Sequence, residues 1–370
     1  MAGYPRVVHN AIASATAAVD HGVLRLMQRT MERNRQPKPP RDARRRLIEL
    51  AELYQGHDGQ NLTDDSPFFA TPEMPEVKET SIPNRRARDR VIDLTFPSTY
   101  RPCAKIYADE YASYHANLTV HARLFTSEEP RPTIICLHGW GGGPFWLEER
   151  AFVVSYLRRI GLDVVLFQLP FHGERTPKQA VRSGALFPSA HVMRTNEAFG
   201  QAIHDLRALS MHLRDRGAPA VGVTGMSLGG YTSALWASVD AELSFAIPMI
   251  PAVSMSELMW RHGSKSPTRR MAKKAGVDRD LLDDAFAVHA PLTRSVKLAR
   301  EQLLIIAGRG DRITPPDQAR KLATHWGDPP LYWFPGGHLA QIGRGNAFRM
   351  IRRHLSALGL IESQDRDTTK

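Results

Sequence analysis

Val221-Gly222-Val223-Thr224-Gly225-Met226-Ser227-Leu228-Gly229-Gly230 is an apolar run broken by glycines, with a single serine at its turning point. Residues 220–226 have the uncharged composition of a buried strand, and 228–238 read as an apolar helix. A serine between the two must sit on a sharp, strained turn that lifts its hydroxyl above the sheet edge. Glycines at both flanks let strand and helix approach without Cβ clashes. The helix start beneath the serine also turns its positive dipole end toward any anion that develops there. The pattern G-x-S-x-G alone arises by chance in roughly one chain in ten at ordinary Gly and Ser usage. The strand before it and the helix after it are what give it weight. A buried strand, a Gly-rich turn and a core helix also account for the uncharged run 217–239, which holds five glycines and Pro219. No membrane span is needed there.

Outward from this stretch, strands and helices alternate from about residue 90. Residues 91–96 and 118–125 read as antiparallel lead-in strands. Residues 133–137 form a continuous apolar run, as a strand buried on both faces should. Further strands are expected at 164–169, 243–250, 303–307 and 331–334. Helices are expected at 145–160, 196–216, 315–324 and 347–358, with a longer helical segment over 251–298. Such alternation predicts an α/β fold with a doubly wound, mostly parallel sheet. Ligands of such sheets bind at the carboxyl ends of the strands.

Three more strand ends carry distinctive residues. His138-Gly139-Trp140-Gly141-Gly142-Gly143 follows 133–137. It fits neither phosphate-loop pattern, G-x-x-x-x-G-K-[ST] or G-x-G-x-x-G. A plain connector is the bland reading. Paired with the serine turn, the loop would expose backbone N–H donors to an oxyanion, those of Trp140 and Leu228. Gly308-Arg309-Gly310-Asp311-Arg312-Ile313-Thr314-Pro315 follows 303–307, and standing alone Asp311 would be an ordinary turn residue. Gly336-Gly337-His338-Leu339 follows the last strand, and His338 is one of fifteen histidines. Its place behind two glycines at a strand end sets it apart.

The order oxyanion loop, Ser227, Asp311, His338 over roughly residues 115–358 resembles the α/β-hydrolase superfamily. The resemblance implies that Ser227 attacks an acyl carbonyl, that His338 accepts and then donates the proton, and that Asp311 holds the imidazole tautomer. It implies a small-molecule acyl substrate, here expected to be a carboxylic ester, and no cofactor. Thioesters, amides and lipids would use the same residues. Some members carry the acid one strand earlier, which makes Glu257 the alternative to Asp311. The segment 251–298 is expected as a lid over the site. Met255, Leu258, Met259 and Trp260 would line an apolar pocket, unless they are simply core beneath the lid. Gly139 and Gly141 would border the substrate. After the fourth strand, Gln168-Leu169-Pro170-Phe171-His172-Gly173-Glu174-Arg175 looks closer to the dienelactone-hydrolase-like and peptidase-like branches. A non-catalytic binding or scaffold member of the fold is the rival reading.

The remaining composition bounds the rest. With 42% hydrophobic and 24% charged residues, the 370-residue chain can bury a sizeable core. Its two cysteines, Cys103 and Cys136, argue against a disulfide framework and favour a reducing compartment, so a cytoplasmic location is expected. No secretory leader is evident, which leaves the sequons at Asn61 and Asn117 idle. No HExxH, CxxC or other metal spacing occurs. Residues 1–50 hold ten Lys/Arg against four Asp/Glu, a net +6 out of the chain's +11. No nucleic-acid motif accompanies them. A solvated basic face is the default. Contact with an acidic membrane surface, with a lipid as substrate, is the sharper alternative. Helices are expected over 5–35 and 41–55, with Val8, Ile12, Ala15, Val19, Val23, Leu26 and Met27 on one face of the first. Residues 57–89 read as an irregular connector. The domains are therefore 1–89 as an extension that supplies no catalytic group, 90–360 as the main unit, and 361–370 as a polar tail.

Overall fold

Thr133–Leu137, Asp163–Phe167 and Val221–Met226 have every residue buried, and they form the middle of the sheet. Strands covered on both faces have no need to alternate, so continuous apolar runs mark them. The computed structural model describes residues 6–33, 42–63, 66–83, 90–264 and 266–362. In chain order its strands are β1 Lys78–Ile82, β2 Arg90–Pro97, β3 Thr119–Thr126, β4 Thr133–Leu137, β5 Asp163–Phe167, β6 Val221–Met226, β7 Ala246–Met249, β8 Ile305–Gly308 and β9 Leu331–Phe334. Their spatial order is β1-β2-β3-β5-β4-β6-β7-β8-β9. Pairing is antiparallel from β1 to β5 and parallel from β5 through β9. This is an α/β-hydrolase fold.

Helices cover both faces. The long helix Val192–Asp215 and the helix Leu228–Val239 pack on one side through Phe199, Ile203, Leu206, Tyr231, Leu235 and Trp236. Val154–Arg159 and Arg344–Ala357 cover the other through Leu157, Phe348, Ile351 and Leu355. The register pairs Leu137 with Phe167 and with Gly225, so β5, β4 and β6 end level with one another. Residues just past those ends converge on one rim. Among the described residues, no helix is long and apolar enough to cross a membrane.

Three expectations need correction. Residues 78–82, read as connector, form edge strand β1. Four of its five side chains are exposed, so it has no apolar alternation to betray it; backbone pairing to β2 alone makes it a strand. The helix expected over 145–160 breaks into Phe145–Ala151 and Val154–Arg159, because Val153 adopts φ 50°. The first helix, Arg6–Arg33, does not bury the face read from its apolar residues. Val8 and Val19 are exposed, while Thr16, Ala17 and Asp20 are buried. That face meets loops rather than an apolar core. The Pro-rich stop at 36–40 and most of the 361–370 tail lie outside the described residues.

The segments before β2 are tied to the body rather than set apart from it. The Tyr54 hydroxyl of helix Ala43–Gln55 donates to Glu197 Oε1 at 2.7 Å. Buried Arg294 donates to the carbonyls of Asn61, Thr63 and Val288, and its guanidinium lies 5.0 Å over the Phe69 ring. Removing a buried cation would leave three carbonyls without their donor. Arg294→Met is therefore expected to lower unfolding stability by about 2–4 kcal/mol and to speed proteolysis within 57–69. Urea melts and timed digestion check this.

Candidate active site

Ser227 stands between β6 and its helix at φ 57° and ψ −109°, a conformation that costs a non-glycine residue about 1–3 kcal/mol. Three backbone bonds hold it there. Its N–H donates to Met249 O at 3.1 Å, and its carbonyl accepts from Tyr231 N at 2.9 Å and Ala252 N at 3.2 Å. The backbone is thus committed to β7, to the segment just past it and to the helix that begins at Leu228. Two glycines make the turn possible. A Cβ on Gly229 would lie 1.9 Å from Leu137 O, and one on Gly225 would lie 2.2 Å from Gly229 O. Any larger residue would push the helix off β4 and β6.

The same contact brings the glycine loop alongside. A Cβ on Gly139 would meet Ser227 Cβ at 3.6 Å. The loop is braced from beneath by His138, whose Nδ1–H donates to Gly139 O at 2.8 Å while Nε2 accepts from Leu169 N at 3.1 Å. Both ring nitrogens are used, and burial pushes the ring's pKa down to about 4, so His138 is a neutral strut. Gln168 Nε2 donates to Gly143 O at 2.9 Å, Gly143 N to Glu148 Oε1 at 3.0 Å, and Ser183 Oγ to Gly142 O at 2.8 Å. Gly141 and Gly143 have φ of 78° and 119°. The Trp140 indole is fixed by a 2.7 Å bond from Nε1 to Gly184 O, with Arg182 4.7 Å over its ring. Among the described residues, no carbonyl takes up the backbone N–H of Trp140 or of Leu228.

Asp311 and His338 are brought together directly. Nδ1–H of the buried imidazole donates to Asp311 Oδ2 at 2.7 Å. Asp311 Oδ1 accepts from Ile313 N at 2.9 Å and Thr314 N at 2.7 Å, the pattern of an Asx turn. The Thr314 hydroxyl lies 2.9 Å from Ile250 O, 2.9 Å from Asp311 Oδ2 and 3.0 Å from His338 Nδ1, which ties the end of β7 to the pair. Burial alone would lower the His338 pKa. The Asp311 charge and hydrogen bond, with the charge of Asp20, outweigh it and raise the pKa above the ordinary value. Among the described residues the Ser227 hydroxyl makes no hydrogen bond to this ring; contacts of this kind are commonly long until a substrate is seated.

The other candidates are placed elsewhere. Glu257 spends its carboxylate on Lys321, on Gln318 Nε2 at 3.1 Å and on Arg261 at 3.1 Å, and has no bond to the imidazole. The Met/Trp stripe is split. Met255 and Leu258 are buried in the core, Met259 is exposed, and Trp260 is covered by Arg269 at 4.4 Å and Lys273 at 5.9 Å. A helix of period 3.6 cannot aim four such residues at one pocket. Helix Met255–His262 of the 251–298 segment does reach the acid turn, with His262 Nε2 2.7 Å from Ile313 O. Among the described residues no group of three His, Cys, Asp or Glu side chains could hold a metal.

One contact was not foreseen. Asp20, in the first helix, accepts from the backbone N–H of His338 at 2.8 Å, of Arg312 at 3.0 Å and of Leu339 at 3.2 Å. A lone carboxylate amid apolar residues of a basic helix reads as solvent-facing, and nothing local signals otherwise.

Comparison with known proteins adds to this geometry. The sequence profile of the family described as "Alpha/beta hydrolase domain containing 18" matches residues 103–264. An uncharacterized protein of Mycobacterium tuberculosis strain H37Rv is 31% identical over 312 residues, covering 82% of this chain and 72% of that protein. Its counterpart in strain CDC 1551 matches equally. Among solved structures, the acetyl xylan esterase from Paenibacillus sp. R4 superposes with TM-score 0.56 at 13% identity, over 76% of this chain and 89% of that one. Acetyl xylan esterase 1 from Thermoanaerobacterium sp. JW/SL YS485 gives TM-score 0.54 at 16% identity, over 76% and 88%.

The neutral strut has a pH consequence. With the folded pKa of His138 near 4 and the unfolded value near 6.5, the unfolded chain binds more protons between those limits. Stability therefore rises with pH across that window and falls as pH drops below 6.5. The contribution is roughly 3 kcal/mol when fully expressed. Buried His289, pushed down to about 3, acts in the same direction. Urea midpoints at pH 7.5 and 5.0 should show the loss, and a His138→Asn variant should show a smaller one.

Proposed function

The chain belongs to the α/β-hydrolase superfamily, in a family shared with the mycobacterial proteins above, and on that premise we propose that it is a serine hydrolase cleaving a carboxylic ester through an acyl-serine intermediate. The observation that carries this reading is Ser227 at positive φ on the rim where the bonded Asp311–His338 pair also stands. In the proposed mechanism His338 Nε2 takes the Ser227 proton as Oγ attacks the acyl carbon. The developing oxyanion is met by the N–H groups of Trp140 and Leu228, which are held rigidly by the braced loop and the helix start. Imidazolium then gives its proton to the departing alkoxide, leaving the acyl-serine. Water repeats the sequence to release the acid and restore the serine.

Asp311 keeps Nδ1 protonated, so that Nε2 is the free base, and its negative charge favours the imidazolium formed in each step. Because His338 must be neutral to act, kcat/KM should rise with pH through a folded pKa above 6.5. The same residues would serve other acyl compounds, because the leaving group is chosen by contacts beyond them. The two acetyl xylan esterases are consistent with ester chemistry on this scaffold.

A fluorophosphonate probe tests the nucleophile. Wild-type protein is expected to label at Ser227, and Ser227→Ala to lose both label and turnover apart from a residual of roughly 10³-fold over water. Folded wild type that does not label would instead favour a non-catalytic binding role. Asp311→Asn should lower kcat by about 10²–10⁴-fold, whereas Glu257→Gln should cost less than about tenfold. The reverse ranking, with both variants folded, would move the acid to Glu257.

A further inference from the structure

Helix Arg6–Arg33 lies against the two turns that carry Asp311 and His338, and the fit is made from both sides. The helix presents small residues, Ala13, Thr16 and Ala17, and the turns present glycines. A Cβ on Gly310 would come within 2.3 Å of Thr16 Oγ1 and 2.6 Å of Ala13 O. A Cβ on Gly337 would come within 2.9 Å of Asp20 Oδ2 and 3.1 Å of Thr16 Cβ. Into this seam the helix inserts one charged side chain. Asp20 has no exposed surface. Its Oδ2 accepts from His338 N and Arg312 N, and its Oδ1 from Leu339 N. Among the described residues no basic side chain forms an ion pair with it. Burying a carboxylate is expensive, and here three backbone donors meet it. A site that repeatedly forms a cation would make good use of such a residue.

We propose that Asp20 is a positioning residue of the active site, holding the His338 turn from behind and supplying a second negative charge beside its imidazole. The proposal rests on His338 acting as the base. His338 is then gripped at two points, its ring by Asp311 and its own backbone N–H by Asp20. Rotation of the turn, which would swing Nε2 away from Ser227, is opposed at Arg312, His338 and Leu339 together. Two anions consequently face one imidazole, with His262 and the guanidinium of Arg312, which donates to Asp311 O at 2.9 Å, as the opposing groups. The raised pKa of His338, to which the Asp20 charge contributes, accords with this. The N-terminal helix is on this view part of the catalytic apparatus.

The test uses full-length protein and Asp20→Asn, which keeps shape but removes the charge. Folding is read by thermal melting. The His338 titration is followed by NMR, with the resonance assigned from His338→Gln. Ester turnover and fluorophosphonate labelling are measured against pH. Asp20→Asn is expected to lower kcat about 10–100-fold, the cost of a misplaced catalytic group, with KM within about twofold. Its His338 titration and the acid limb of kcat/KM should both move to lower pH. A merely structural carboxylate would lower the melting temperature without moving either. A folded Asp20→Asn with unchanged kcat and unchanged titration overturns the proposal. Should that variant not fold, Gly337→Ala keeps the carboxylate but wedges a Cβ between turn and helix; kcat must then fall while KM holds, and an unchanged kcat overturns the proposal equally. If wild type neither labels nor turns over ester, it is the hydrolase reading that has failed. The NMR titration still decides, without any activity, whether Asp20 acts on His338.

Discussion

Everything at the rim depends on one close approach, that of Gly229 to the carbonyl of Leu137. It sets the distance from the helix after β6 to the end of β4, and therefore how steeply the chain must turn at Ser227. With that distance fixed, the serine has little choice but an unfavourable φ, since any relaxed conformation would lift the helix off the sheet. The cost is local and is met by packing, because the helix buries Tyr231, Leu235 and Trp236 completely. The same approach sets Gly139 beside Ser227 and so couples the two loops. Neither could shift without the other.

The second organising feature is how little of the rim is left to side-chain chance. His138, Gln168, Glu148 and Ser183 each bond to a backbone group of the glycine loop. Thr314 and Asp20 do the same for the turns after β7, β8 and β9. All but half-buried Ser183 are buried, and each has a partner, which is the condition under which buried polar groups add rigidity rather than cost. A preorganised set of donors loses nothing to rearrangement when charge appears.

The sheet and the residues at its strand ends were legible because they follow from periodicity and glycine placement, both of which are local. Continuous apolar runs marked β4, β5 and β6, and the glycines around Ser227 marked the turn. What was not legible depends on contacts between distant segments. β1 has no pattern of its own and exists through its pairing with β2. The apolar residues of the first helix suggested one face, while its neighbours selected another, because glycine turns accept Thr16 and Ala17 where an apolar core would have taken Val8 and Val19. The Met255 to Trp260 stripe, which the sequence leaves open to a pocket or to the core, divides between core and surface. Met255, Leu258 and Met259 share one helix face, whereas Trp260 turns away from it and is claimed by Arg269 and Lys273.

The bond between Asp20 and His338 spans 318 positions of the chain. A ribosome therefore makes the helix long before the turn it will grip, and in that interval the buried face of the helix, with its carboxylate, has nothing to cover it. Contacts of such long range form late, after the loops between them have closed. The nascent chain would thus hold a shaped serine turn well before it holds a seated histidine. Competence would arrive late in synthesis rather than growing with length.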